Sequence, residues 1–196
     1  MLSLLWLLGL WVQPLVAQAT SSLPSYRAQF TQERSQPFLK RPFRSQGQMV
    51  FWQGQGILWT TEKPLAQVLL INPQGLFKLD AGERSPLISP QAGQALVAGL
   101  LLPLFSGQLM DLAERFELQW KPLKTGRQLT ARPKDPGLAA QLDQLQVRLD
   151  PQDRLVEVQL TEAKGGQTTI RFSGVTELAQ PTSAEQALFS ASERQP

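Results

Sequence analysis

Residues 45–59 read SQGQMVFWQGQGILW, and this stretch decides the fold. Its two apolar runs flank Gly-Gln-Gly at 54–56, and glycines tolerate the positive φ angles of a tight hairpin turn. Side chains alternate between the two faces of a strand, so each arm of the hairpin has residues that share a face. These are Met49 with Phe51 on the first arm, and Ile57 with Trp59 on the second. The stretch predicts an antiparallel hairpin with large apolar side chains.

Further segments along the chain have the same character. Residues 66–71 form a continuous apolar run that is closed by the turn sequence NPQG at 72–75, and residues 76–80 then alternate. Shorter segments with strand character follow at 116–123, 127–132, 145–149, 155–161 and 168–172. Together they predict an antiparallel sheet of about nine strands, with one apolar face and one wet face.

Two regions have patterns that favour helices. Residues 22–34 carry Ser and Pro start signals and place Tyr26 and Phe30 four residues apart, which predicts a short opening helix. The Leu-rich and Ala-rich region 90–116 predicts helices at about 91–102 and 107–115, divided near Pro103 and Gly107. Its leucines at spacing four are Leu96, Leu100 and Leu104. These helices fit either a core position or a lid over a cavity.

A sheet of this size curls, because strand twist accumulates across it. The predicted fold class is therefore α+β: a strongly curved antiparallel sheet with helices covering the concave face as a lid. A cavity between the two layers would be lined by Phe30, Met49, Phe51, Ile57, Trp59, Leu70, Phe77, Leu96, Leu100, Leu104 and Trp120. A filled core is the alternative, because periodicity does not distinguish the two.

The composition excludes several functions. The chain has no cysteine and no histidine, so disulfides, thiolate zinc sites and a Ser-His-Asp arrangement are absent. We expect no metal, no cofactor and no enzymatic activity. The 19 basic and 16 acidic residues are dispersed, which argues against nucleic acid as a partner. A short cluster of Lys40, Arg41 and Arg44 is compatible with an anionic membrane surface instead.

The N-terminal sequence has the pattern of a secretory signal peptide. Residues 1–16 are an apolar stretch interrupted by Gln13 and Pro14, and residues 17–19 spell AQA. The uninterrupted run of about 12 residues is shorter than the roughly 20 that a spanning helix needs. We therefore expect a cleaved signal peptide at 1–19, a single domain at 20–178, and a partly disordered tail at 179–196 with one helical turn at 184–189.

Short motifs in this order resemble the outer-membrane lipoprotein carrier (LolA-like) family. Residues 30–32 read FTQ, 45–49 read SQGQM, 58–59 read LW, and Lys-Pro follows at 63–64. They are similar to the family's F-x-Q helix, its S-x-G-x-hydrophobic strand and its next strand, which ends near Trp with a Pro beyond. LFSG at 104–107 resembles one branch of the family. The resemblance spans nearly all of the chain beyond the signal sequence.

The resemblance implies an unclosed β-barrel with a helical lid, which shields acyl chains between the inner and outer membranes. The implied partners are lipoprotein or lipid acyl chains, an inner-membrane extraction complex and an outer-membrane acceptor. The implied location is the periplasm, and we expect a monomer. Family carriers place an Arg in the first hairpin that holds the empty cavity shut, and Gln53 occupies the matching gate position here.

The departure at Gln53 leaves other functions open. One is the carriage of a different amphiphile, such as a glycolipid or a lipid-linked pigment. Another is a lipid-free adaptor that binds a protein through its sheet edge or lid. An enzyme with Glu114 and Glu117 as acid and base is disfavoured, because their spacing is typical of a solvated face.

Overall fold

The computed structural model describes residues 23–89 and 97–193, and one large curved β-sheet dominates it. The strands are Tyr26–Ser35 (β1), Phe43–Trp52 (β2), Gly56–Lys63 (β3), Gln67–Asn72 (β4), Gly75–Asp80 (β5), Glu83–Pro86 (β6), Phe116–Pro122 (β7), Arg127–Pro133 (β8), Leu142–Leu149 (β9), Leu155–Glu162 (β10), Gln167–Glu177 (β11) and Ser192–Glu193 (β12). The predicted signal peptide and the side chain of Leu96 lie outside the described residues.

The strand order is β12-β6-β5-β4-β3-β2-β1-β11-β10-β9-β8-β7. All neighbours pair antiparallel except β12, which adds to β6 in parallel. Within the part of the chain that the structure describes, the end strands β7 and β12 do not pair, so the sheet does not close into a barrel. The prediction of an open, curved antiparallel sheet with a helical lid is confirmed.

The helical segments are short. They are a π-helical turn at Val97–Leu101, an α-helix at Leu102–Ser106 (α1), a 3-10 helix at Leu109–Glu114, and α-helices at Pro136–Ala139 (α2) and Ser183–Phe189 (α3). We call residues 97–114 the lid.

Of the two predicted division points in the lid, Gly107 ends a helix and Pro103 does not. Pro103 lies in the first turn of α1, where its missing N–H costs nothing. Gly107 has a left-handed φ of 77° and ends the helix. The helix predicted to end at Leu102 therefore runs on to Ser106, and the segment predicted at 91–96 lies outside the described residues.

The predicted opening helix is wrong, because residues 26–35 form strand β1. Tyr26, Ala28 and Phe30 are all buried, which is a period of two. Residues four apart share a face in a strand as well as in a helix, so the Tyr26 to Phe30 spacing fits both. β1 lies in the middle of the sheet, between β2 and β11.

The sheet buries apolar side chains on both of its faces. The inner face, towards the lid, carries the larger cluster, which includes Met49, Ile57 and Leu145. The outer face carries a second cluster on β2 to β5, namely Val50, Leu58, Leu70, Phe77 and Leu79. Helix α3 covers this second cluster with Phe189. The residues of α3 and β12 belong to the segment predicted as a tail, and the domain limits at 19 and 178 stay predictions.

Candidate functional site

The lid lies on the inner face of the sheet. Its buried side chains belong to the same cluster as the sheet residues beneath them, and they are Leu100, Leu104, Phe105, Leu109 and Leu112. The spacing of leucines in the sequence thus corresponds to an apolar lid face against the sheet. Because the sheet is curved, the lid spans from its N-terminal strands to its C-terminal strands.

An aromatic cluster forms the centre of this interface. Phe30 of β1 and Trp59 of β3 stack with ring centroids 4.0 Å apart, although β2 runs between them. The residue of β2 that pairs with Phe30 is Gly47, which has no side chain to separate the rings. A Cβ at Gly47 would also lie 1.9 Å from the carbonyl oxygen of Thr60. The glycine of the SQGQM motif therefore permits the stack.

Phe105 of the lid fills the space beside this stack. Its ring lies 6.1 Å from that of Trp59 and 5.9 Å from that of Phe172 on β11, in edge-on arrangements. Phe105 is buried, as are Trp59 and Phe172. Such aromatic pairs add to the free energy of burial. In this state the lid occupies the aromatic part of the interface with its own side chain.

Hydrogen bonds to Phe105 and Ser106 join the lid to β1 and to the residues just before it. The Tyr26 hydroxyl donates to the carbonyl oxygen of Phe105 over 3.0 Å. Burial raises the pKa of Tyr26 well above its ordinary value, so the phenol remains a donor at neutral pH. The N–H of Leu23 donates to the carbonyl oxygen of Ser106 over 2.9 Å. Both acceptors lie in the last turn of α1, where carbonyls lack partners within the helix.

A pocket of about 460 Å³ lies between the lid and the C-terminal part of the sheet. Its apolar lining comes from the lid residues Leu104, Leu109 and Met110 and from Leu23, Trp120, Leu149 and Leu155. A second pocket of about 100 Å³ adjoins it, because both are lined by Leu23 and Leu155. The larger volume is within the range of roughly 300–1,000 Å³ that small-molecule sites have.

The polar groups at the larger pocket lie on its wall. The Arg127 guanidinium lies over the Trp120 ring at 4.4 Å and bonds to Asp153 Oδ1 over 2.8 Å. Asp111 of the lid is the remaining charged residue of the lining. This pocket therefore offers a hydrocarbon-compatible surface with a charged group at one side, which suits an amphiphile.

The predicted cavity residues fall into different places. Phe30, Met49, Phe51, Ile57, Trp59, Leu100 and Leu104 are buried in the inner cluster, and Trp120 packs partly buried against it. Among them, Leu104 and Trp120 line the larger pocket. The structure places Leu70 and Phe77 in the outer cluster beneath α3, because they alternate with inner residues such as Ile71. Gln53 is exposed after β2, and its backbone N–H donates to Ser25 Oγ over 3.1 Å.

Several residues of the site were not found from the sequence. Tyr26 was assigned to a helix, and Leu149 and Leu155 were recognised as strand residues without a link to the lid. Phe105 was part of the LFSG motif, and its conspicuous aromatic side chain within a Leu-rich segment was the available signal. The carboxylates Glu114 and Glu117 are both exposed, as their spacing predicted.

Residues 21–190 match the family described as outer membrane lipoprotein carrier protein LolA. The chain belongs to this family. LolA-family proteins are periplasmic carriers and not enzymes. No curated protein matches the sequence of this family member significantly. Among the residues described, no helix is both long and apolar enough to cross a membrane.

Solved structures with a similar fold have low sequence identity to this LolA-family chain. A LolA superfamily protein from Nitrosomonas europaea is 9% identical, with 81% of this chain and 88% of that chain covered and a TM-score of 0.43. A putative outer membrane lipoprotein-sorting protein domain from Vibrio parahaemolyticus is 10% identical, with coverages of 85% and 92% and a TM-score of 0.40. The MucA/MucB complex of Pseudomonas aeruginosa gives 14% identity and a TM-score of 0.48, with 84% of this chain and 56% of that chain covered.

Proposed function

We propose that this protein is a periplasmic carrier that holds the acyl chains of a lipoprotein or a related lipid between its lid and the inner face of its sheet. The observation that carries the proposal is the apolar pocket of about 460 Å³ bounded by Leu104 and Leu109 of the lid and by Leu149 and Leu155 of the sheet. Each buried CH₂ contributes about 0.8 kcal/mol, so part of an acyl chain supplies affinity without directed polar contacts.

Loading requires the lid to move, because Phe105 occupies the aromatic part of the interface. When Phe105 leaves, the rings of Trp59 and Phe172 lose a partner on the inner face, and an acyl chain can replace that contact. The Tyr26 hydroxyl then loses its acceptor on the lid. The closed state is thus held by the buried leucines of the lid, by the Phe105 ring and by hydrogen bonds at residues 105–106, and on loading it exchanges part of these contacts for hydrocarbon.

A second candidate cargo is an amphiphile other than a lipoprotein. The ion pair between Arg127 and Asp153 at the pocket supports it. A charged group beside an apolar pocket suits a polar head of modest size, as in a glycolipid. In either case transfer runs between the two membranes, with an extraction complex and an acceptor as partners. Family membership supports a periplasmic carrier, and the cargo, the direction of transfer and the partners are part of our proposal.

The test is the binding of lipids to a variant that changes only the rim of the pocket. Met110 lines the pocket and is 66% exposed, so Met110→Glu leaves the fold intact while it puts a charge beside the hydrocarbon. Leu87→Glu is the matched control, since Leu87 is 43% exposed and lies outside the pocket. We expect Met110→Glu to weaken binding of a naphthylamine probe at least about tenfold.

Native mass spectrometry of the protein purified from the periplasm identifies the cargo. Co-purified triacylated peptide supports a lipoprotein carrier, whereas co-purified glycolipid or pigment supports the second candidate. Equal probe binding by Met110→Glu, Leu87→Glu and the parent protein, together with an empty mass spectrum, would contradict carriage.

A further inference from the structure

The loop between β1 and β2, together with the first two residues of β2, exposes large apolar side chains. We call residues 36–44, QPFLKRPFR, the basic-aromatic loop. Phe38 is 81% exposed, Phe43 is 51% exposed and Leu39 is 43% exposed. Single exposed apolar residues are ordinary, but several within one short loop mark an interaction site.

The same loop concentrates positive charge. Lys40, Arg41 and Arg44 are exposed. Within the described residues, neither Lys40 nor Arg41 forms an ion pair with a carboxylate. Arg44 bonds to Glu33 Oε2 over 3.1 Å. Lys63 at the end of β3 is a further cation near the loop, because it pairs with Gln46 of β2. Along the loop, Lys40, Arg41 and Arg44 are interspersed with the exposed apolar side chains.

The base of the loop is fixed to the sheet. Gln36 Nε2 donates to Glu162 Oε1 over 2.9 Å, and Arg34 bonds to the same carboxylate. The N–H of Leu39 donates to the carbonyl of Gln36 over 2.9 Å, which closes a turn. Two prolines further restrict the backbone. Because the loop is already ordered, little conformational entropy is lost when it docks.

We propose that the basic-aromatic loop docks this protein on the surface of a membrane that contains anionic phospholipid. Aromatic and aliphatic side chains insert at the level of the headgroups, and Lys and Arg beside them bind the phosphates. Phe38 and Phe43 insert among the headgroups, and Lys40 and Arg41 bind the phosphates. An acidic protein would satisfy the charges, but it would leave the protruding phenyl rings without a matching apolar layer. This inference stands apart from the pocket, which lies between the lid and β7 to β10.

Vesicle flotation of the whole mature protein tests the proposal. We expect the protein to float with vesicles of phosphatidylglycerol and phosphatidylethanolamine, and not with vesicles of phosphatidylcholine alone. High salt should weaken the binding. Lys40→Gln with Arg41→Gln should reduce the bound fraction about tenfold at limiting vesicle concentration, and Phe38→Ser with Phe43→Ser should reduce it similarly.

Matched controls separate the loop from general charge and apolarity. Lys78→Gln with Arg132→Gln removes the same charge from exposed positions on β5 and β8, and Leu87→Ser removes an exposed apolar side chain that lies outside both the loop and the pocket. These variants should float like the parent protein. The proposal is overturned if the loop variants float as well as the controls, or if the protein binds acidic peptides and no vesicles. Binding of the naphthylamine probe should be unchanged in the loop variants, so a failure of docking is distinct from a failure of carriage.

Discussion

The two apolar faces of the sheet are covered in different ways. On the outer face, α3 is secured by a capping box between Thr182 and Glu185, and Glu185 bonds to Arg27 of β1. On the inner face, the lid is made of π-helical, short α-helical and 3-10 segments, and within the described residues neither α1 nor the 3-10 helix has a side-chain cap. The outer cover is therefore fixed by a cap and an ion pair, whereas the inner cover, as far as the structure describes it, lacks such caps, and its movement is what the proposed loading requires.

The largest expected effect comes from matched truncations of the two covers. Phe189→Ala should lower the free energy of unfolding by about 3–5 kcal/mol, because it leaves a cavity in the outer cluster. Probe binding should not change, because the pocket lies on the other face of the sheet. Phe105→Ala should cost a similar amount in the absence of probe but less in its presence, because hydrocarbon can enter the space that the ring leaves and should bind more tightly there. Urea unfolding and probe titration measure both quantities. If Phe105→Ala loses as much stability as Phe189→Ala even in the presence of the probe, and does not bind the probe more tightly, the inner interface is an ordinary core and not a binding site.

A smaller effect is expected when the hydrogen bond from the sheet to the lid is removed. Tyr26→Phe keeps the ring but leaves the Phe105 carbonyl without its donor, at a cost of about 1 kcal/mol to the closed state. Stopped-flow measurement should therefore show probe exchange that is about fivefold faster. Ser25→Ala is the control, since it removes a hydrogen bond to Gln53 that does not involve the lid. Identical exchange rates for both variants would mean that Tyr26 does not hold the lid.

Acid should loosen the outer cover before the inner one. Partial burial disfavours the charged form of Glu185, but hydrogen bonds from Thr182 and Arg27 outweigh it and lower the pKa of Glu185. Its folded pKa lies below the unfolded value of about 4.3, so its stabilisation is present above that pH and is lost as pH falls through the folded pKa. The protection of residues 183–189 against hydrogen exchange, relative to the intrinsic exchange rate at each pH, should therefore fall as the pH drops below about 4.3. A Glu185→Gln variant should lack this dependence, and an equally strong dependence would exclude Glu185 as its source.

The smallest effect is expected at the residue to which the family resemblance assigned the gate. Gln53 is exposed after β2, and Tyr26 makes the buried side-chain hydrogen bond to the lid. Gln53→Arg should therefore change probe release by no more than about twofold, as is usual for surface substitutions. A release rate slowed tenfold would place a gate at position 53 after all.

The sequence predicted best the regions where apolar and polar residues alternate. The later strands, such as β9, followed from period two, because one wet face makes the pattern readable. The hairpin at 45–59 followed from its Gly-Gln-Gly turn instead, because β2 and β3 bury apolar side chains on both faces. Within the run at 66–71, residues 68–71 are all apolar, since β4 is covered by the inner cluster on one side and by α3 on the other. With no alternation to read, Leu70 was assigned to the cavity, and the structure places it on the outer face.

The site was less predictable, because its contacts join distant parts of the chain. Tyr26 meets Phe105 only once the lid is folded onto the middle of the sheet. No local pattern encodes that distance, and Tyr26 and Phe30 fit two kinds of secondary structure. The LFSG motif marked the correct segment, but it did not indicate which atoms of it would contact β1.

The position of β1 has a consequence for how the chain acquires its structure. Strands β1 to β6 follow one another as neighbours and can pair as they emerge, but β1 also needs β11, whose residues arrive about 140 positions later, as in the pairing of Phe30 with Phe172. Until then β1 presents an open edge, and such edges recruit other chains. The sheet is completed by closing a seam at its centre, so the folding polypeptide is most vulnerable to aggregation just before its last long strand pairs with β1.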